Sequence, residues 1–261
     1  MSLASSRHGQ TNMLKDRIRR LAQEWVPDPV YREVMRSWRR TRRRARPVDW
    51  GNLRRDSPFS WFGFDRGVPI DRFYIERFLQ SHREDIRGRV LEIEDDRYTK
   101  KFGTPAVERR DVLYAAPGCP TATLTGDLTT GAGIPGNAFD CIILTQTLPF
   151  IYEIHAAIQQ TFRALRPGGV LLATVPGITR ISRPDMDRWG DYWRLTSLST
   201  QRLLEEAFAR EHVSVQVYGS MLTAVAFLYG LAAEDLSAAE LELADPDFEV
   251  LIGARAVRSH V

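Results

Sequence analysis

A doubly wound, mainly parallel α/β sheet of seven strands, preceded by a basic, partly helical arm, is the fold this sequence predicts. Three observations predict it. From about residue 89 onward, short apolar runs alternate with amphipathic segments, as in repeated β-α-β units. Two of the runs, within FDCIILTQTL (139–148) and VLLATV (170–175), are nearly continuously apolar, as expected of strands buried on both faces. A length of 261 residues allows one large domain of this kind plus an extension.

The arm is expected over residues 1–56 and the domain over 57–261. Met13, Leu14, Ile18, Leu21 and Trp25 recur at helical spacing, Pro27 and Pro29 end that helix, and Val30 to Trp38 can start another. Between Leu14 and Asp56, fourteen Lys or Arg face six Asp or Glu, a net of +8, although the whole chain carries only +3. The run RRTRRRAR (39–46) concentrates this charge. It reads either as a contact for a polyanion (nucleic acid, anionic lipid or an acidic partner) or as a solvated helix face. No aromatic interleaving of the kind used by nucleic-acid binders accompanies it.

Within the domain, Gly63, Gly67 and Pro69 punctuate an aromatic loop, and a helix follows from Ile70 to Leu79 with Phe73, Ile75, Phe78 and Leu79 for its buried side. Strands are expected at Arg89–Ile93, Asp111–Ala115, Phe139–Leu144, Val170–Val175, Val213–Val217 and Phe248–Ala256. Helices are expected at Glu153–Leu165, ended by Arg166-Pro167-Gly168-Gly169, and at Ser199–Phe208. Met221 to Ala233 is the most apolar long run, short of the ~20 residues a membrane span needs, and is expected to be a buried core segment. Cys119 and Cys141 stand apart without metal-ligand spacing, which points away from structural zinc and disulfides and toward a reducing cytoplasm. No signal-peptide-like apolar core opens the chain.

Four segments resemble the class I S-adenosylmethionine-dependent methyltransferases, in order and over about 90 residues: GRVLEIE (88–94), TGDLT (125–129), FDCIILTQTL (139–148) and LRPGGVLLATVPGI (165–178). FGFDRGVPIDRFYIERFL (62–79) and DMDRWGDYWRLT (185–196) further resemble a bacterial, type 11-like subgroup. The resemblance implies S-adenosylmethionine as cofactor. It implies that Glu92, with Ile93 and Glu94 in the following loop, lies near the methionine ammonium. It implies further that Asp127 accepts from the adenine amine, that Leu128 faces the ring, and that Thr145 and Gln146 leave the fourth strand beneath the donor. Arg66 is the candidate for the methionine carboxylate, since a fork of donors suits a carboxylate, or else pairs with Asp65 or Asp71. His155 is a candidate general base, or a surface residue on its helix. Asp191, in the loop after the fifth strand, is the other catalytic candidate. Trp189 and Trp193 beside it either stack on a ligand ring or pack as a lid.

The family pattern is broken at three places. A glycine is expected where Glu94 stands, because the chain turns there beside the ligand. An acidic residue is expected at the end of the second strand to hold the ribose, and VLYAAPGCP (112–120) offers none. Asp95 and Asp96 are the nearby carboxylates that can stand in for it. Only about 16 residues separate the first two strands, little room for a helix. The leading functional expectation is methyl transfer to oxygen or nitrogen of a small molecule or glycan. The alternatives are a methyltransferase-like protein with a degenerate cofactor site, and a nucleic-acid methyltransferase recruited by the arginine arm.

Overall fold

The computed structural model describes residues 62–260, so the expected arm, its two helices and the arginine run lie outside the described residues. One seven-stranded sheet organises the chain in the order β3-β2-β1-β4-β5-β7-β6. Its strands are β1 (Gly88–Ile93), β2 (Val107–Tyr114), β3 (Leu124–Thr125), β4 (Phe139–Thr145), β5 (Leu165–Pro176), β6 (Val213–Tyr218) and β7 (Leu251–Val257). All neighbours run parallel except β7, which lies antiparallel to both β5 and β6.

The alternation of side chains along the inner strands builds two cores, one on each face. Leu91 of β1 and Ile142 of β4 enter one core with Leu171 and Phe208. Their sequence neighbours Val90 and Ile143 enter the other with Leu172 and Phe78. Helices α3 (Ile154–Ala164) and α5 (Ser197–Glu205) contribute Ile158 and Leu204 to the first core. Helices α1 (Ile70–Ser81), α2 (Arg97–Phe102) and α6 (Met221–Tyr229) contribute to the second. Short helices α4 (Arg183–Trp189) and α7 (Ala238–Glu242) complete the layers.

Several boundaries move. Strand β2 begins at Val107, four residues before the expected start at Asp111, because the exposed charged stretch Glu108 to Arg110 also pairs with β1, across an irregularity between Gly88 and Arg89. The turn residues Pro167 to Gly169 fall inside β5, whose pairing with β4 is irregular between Phe139 and Cys141. A helix does fit between the first two strands, but only the six residues of α2. Met221 to Tyr229 is not uniformly buried: Thr223, Ala224, Ala226 and Phe227 face the core, while Met221, Leu222, Val225 and Leu228 are exposed. Among the described residues, no helix is long and apolar enough to cross a membrane.

The sheet changes direction at β1, whose neighbours β2 and β4 lead to opposite edges. In doubly wound sheets a crevice opens outside the carboxyl ends of the strands at this point.

Candidate functional site

A cavity of about 620 Å³ lies there, lined by the ends of β1, β2 and β4 and roofed by Trp189 and Tyr192. Glu92, Ile93, Glu94, Asp127, Leu128, Thr145 and Gln146 all line it. Ligand clefts of this size hold molecules of several hundred daltons.

Glu92 is 3 % exposed, and its carboxylate accepts the backbone N–H groups of Tyr98 at 3.0 Å and Thr99 at 2.9 Å, plus the Thr99 hydroxyl at 2.8 Å. These are N–H groups that the first turn of a helix cannot satisfy internally, so a strand residue caps α2. Burial pushes the Glu92 carboxyl up to about 7, against the pull of those hydrogen bonds. Glu94 follows at φ 67°, a left-handed conformation that costs an L residue about 1–2 kcal/mol. The chain thus makes the turn expected of a glycine while carrying a carboxylate.

Asp127 is held in a tight local turn, its oxygens accepting the Thr129 N–H at 2.7 Å and the Thr130 hydroxyl at 3.1 Å. Partial burial alone would raise its pKa, yet these bonds outweigh it and keep the carboxyl below the usual range, hence ionised. Leu128 beside it is buried. Gln146, at the end of β4, takes φ 53°, and its Nε2 is buried with no hydrogen-bond partner.

Three sequence-derived candidates need correction. Arg66 does not line the cavity; it grips Asp235 with two bonds, at 2.7 and 2.5 Å, rather than Asp65 or Asp71. His155 is exposed on α3 with Nδ1 2.6 Å from Glu206, pointing to α5 and away from the cleft. Asp191 has its carboxylate taken by Arg194 at 2.5 and 2.8 Å, and that guanidinium holds it below the usual carboxylate range. A carboxylate so held is a poor proton acceptor.

Arg72 is the residue that sequence reasoning missed. It lines the cavity from α1, donates to the Tyr98 hydroxyl at 3.2 Å, and keeps a buried Nε without a partner. An orphaned guanidinium N–H in a cleft fits an anionic ligand group. Both Arg66 and Arg72 sit in Asp-Arg pairs, so only their position in space separates them.

The end of β2 brings Tyr114 and Ala115 to the cavity; Pro117 is exposed and outside it. Asp95 lines the wall but pairs with Arg97 at 2.8 Å, and Asp96 is bound to Lys100 at 2.7 Å. Trp189 lines the cavity, edge-on to Tyr114, with the Arg188 guanidinium 4.7 Å from its centroid. Trp193 turns inward, donating its indole N–H to the Ile151 carbonyl at 3.0 Å. No group of three metal-ligating side chains occurs among the described residues.

Residues 81–173 match the family model described as a methyltransferase domain. No curated protein matches the chain. Three solved structures are similar in outline. One is a SAM-dependent methyltransferase from Archaeoglobus fulgidus, 9 % identical, with 72 % of this chain and 94 % of that one covered at a TM-score of 0.47. Another is the N-methyltransferase NodS from Bradyrhizobium japonicum in complex with S-adenosyl-L-homocysteine, 16 % identical, with 78 % and 92 % covered at 0.45. The third is the cyclase SpnF, 16 % identical, with 82 % and 88 % covered at 0.48.

Proposed function

We propose that this chain, a class I S-adenosylmethionine-dependent methyltransferase, methylates a small-molecule acceptor, free or as one unit of a glycan. The observation that carries this reading is the 620 Å³ cavity at the sheet's change of direction, with Glu92, Arg72 and Asp127 spaced along it. Those residues fit the cofactor's own groups. The orphaned Nε of Arg72 suits the methionine carboxylate, Glu92 suits the ammonium, and ionised Asp127 suits the adenine amine. Bound there, the cofactor supplies an electrophilic methyl group on a sulfonium.

The protein's own part is to orient and to exclude water. Arg72 and Glu92 would hold the two ends of the amino-acid moiety, and Leu128 would face the ring. Thr145 and Gln146, which line the same cavity, would bound the space for the acceptor. Ala115 gives the ribose hydroxyls no side-chain acceptor, which at about 1.5–3 kcal/mol for a hydrogen bond to a charged group weakens the cofactor about 10- to 150-fold without abolishing it. This feature, with Glu94, favours a second reading in which the cleft binds a ligand without transferring methyl.

Calorimetric titration with S-adenosylmethionine and S-adenosylhomocysteine decides between the two. Binding of both, with product formed on addition of an acceptor, is the expected result. No heat at millimolar cofactor overturns the first reading.

A further inference from the structure

The cavity described above does not end at the donor residues. Arg72, Gln146, Phe150 and Asp185 border both it and a second cavity of about 390 Å³. Away from this junction Phe62, Phe64, Phe227 and Pro176 share the wall of the second cavity with Asp71, Thr179, Arg180, Ser182, Asp191 and Arg194. Several of its charged side chains are already engaged. Asp191 binds Arg194, the Arg180 guanidinium lies 4.3 Å from the Phe62 centroid, and Asp71 accepts the Arg72 backbone N–H at 2.8 Å.

Apart from Arg72, whose unpartnered Nε is given to the donor's carboxylate in the reading above, two groups at the junction retain capacity. Gln146 Nε2 is a buried donor with no acceptor. Asp185 accepts one bond, from the Ser182 hydroxyl at 2.6 Å, and forms no ion pair among the described residues. A hydroxyl is the group that answers both, since its oxygen accepts from the amide while its O–H donates to the carboxylate. An ammonium would leave the amide donor unmet, and a carboxylate would be repelled by Asp185. The phenylalanine and proline side chains suit a flat apolar carrier, and the charged groups beside them already have partners.

We propose that the second cavity is the acceptor site and that its ligand is an aryl alcohol, methylated on its hydroxyl oxygen at the junction of Gln146 and Asp185. This rests on the reading of the first cavity as the donor site. The hydroxyl oxygen forms a bond to the methyl carbon, and the carbon–sulfur bond breaks with its electron pair passing to sulfur. The sulfonium becomes a neutral thioether, and the hydroxyl proton passes to the Asp185 carboxylate.

The test uses the full chain with β-naphthol as probe, and naphthalene and methyl glucoside as controls. Binding is read by naphthol fluorescence with S-adenosylhomocysteine present, and turnover by mass spectrometry of the methyl ether. β-Naphthol should bind more tightly than naphthalene and be methylated, and methyl glucoside should not be. Phe64→Ala, at a half-exposed position that borders only the second cavity, should weaken naphthol about 10-fold and leave S-adenosylhomocysteine affinity unchanged. Asp185→Asn should lower turnover about 100-fold or more while naphthol still binds. The proposal is overturned if S-adenosylhomocysteine binds but naphthol neither binds nor reacts, or if the glucoside is methylated instead. Turnover unchanged in Asp185→Asn removes the role given to that carboxylate. Naphthol binding that Phe64→Ala weakens, in a protein that does not bind S-adenosylhomocysteine, supports the second site and overturns the donor reading alone.

Discussion

Glu92 and Thr99 are joined twice through one oxygen, Oε2 accepting the Thr99 backbone N–H at 2.9 Å and its hydroxyl at 2.8 Å. This fastens the end of β1 to the start of α2, directly over the donor cavity. Because burial raises the carboxyl to about 7 from an ordinary 4.5, the protonated form is favoured by folding. The contribution is therefore fully present below about pH 4.5 and is lost as pH rises through about 7, in all about 3 kcal/mol. Glu92→Gln should flatten this part of the stability curve, and denaturant midpoints measured across that window for both proteins check it.

Cofactor binding should change the same titration. A cationic ammonium beside Glu92 favours its carboxylate, so binding near pH 7 should release about half a proton. Calorimetry in buffers of different ionisation enthalpy measures this number directly. An uptake, or no exchange, would remove Glu92 from the ammonium.

The loop departures can be reversed separately. Glu94→Gly relieves a left-handed backbone at φ 67° but adds unfolded-state freedom, so the net gain should be about 0.5–1 kcal/mol. For a domain of this size that is a rise in Tm of about 2–4 °C per kcal/mol. Ala115→Glu, rather than a change at Pro117, puts a carboxylate where β2 reaches the cavity and should tighten S-adenosylmethionine about 10-fold or more.

Arg72 and Arg66 make a paired test. Arg72→Leu should weaken cofactor binding about 10- to 150-fold, the loss of hydrogen bonds to a charged partner. Arg66→Leu, which breaks the contact with Asp235 outside the cavity, should leave affinity unchanged. The comparison of the two dissociation constants is the readout.

His155→Ala should leave turnover unchanged, because the imidazole faces Glu206 outside both cavities. A drop in kcat with an altered pH profile would restore it as a base.

What the sequence made legible follows from burial. FDCIIL and VLLATV are apolar throughout because β4 and β5 are covered on both faces, so their character survives without tertiary context. Strand β3 is only Leu124–Thr125 and leaves no periodic signal. Helix α2 was hidden because Tyr98, Thr99 and Phe102 are its only buried positions and its capping carboxylate comes from another element. The family resemblance implied that Glu92, Asp127 and Gln146 share one cleft, and all three line the cavity. The sequence could not separate Arg66 from Arg72, because both stand in Asp-Arg pairs and the choice depends on which partner a folded neighbour supplies.

The strand order has a consequence for synthesis. Strand β7, the last in the chain, lies between β5 and β6 and pairs with seven residues of β5 and six of β6. Until Leu251–Val257 leaves the ribosome, β5 has a bare edge and β6 has no neighbour in the sheet. Bare edges of apolar strands recruit other chains, so the nascent protein is most exposed to chaperones, and to aggregation, just before its last strand arrives.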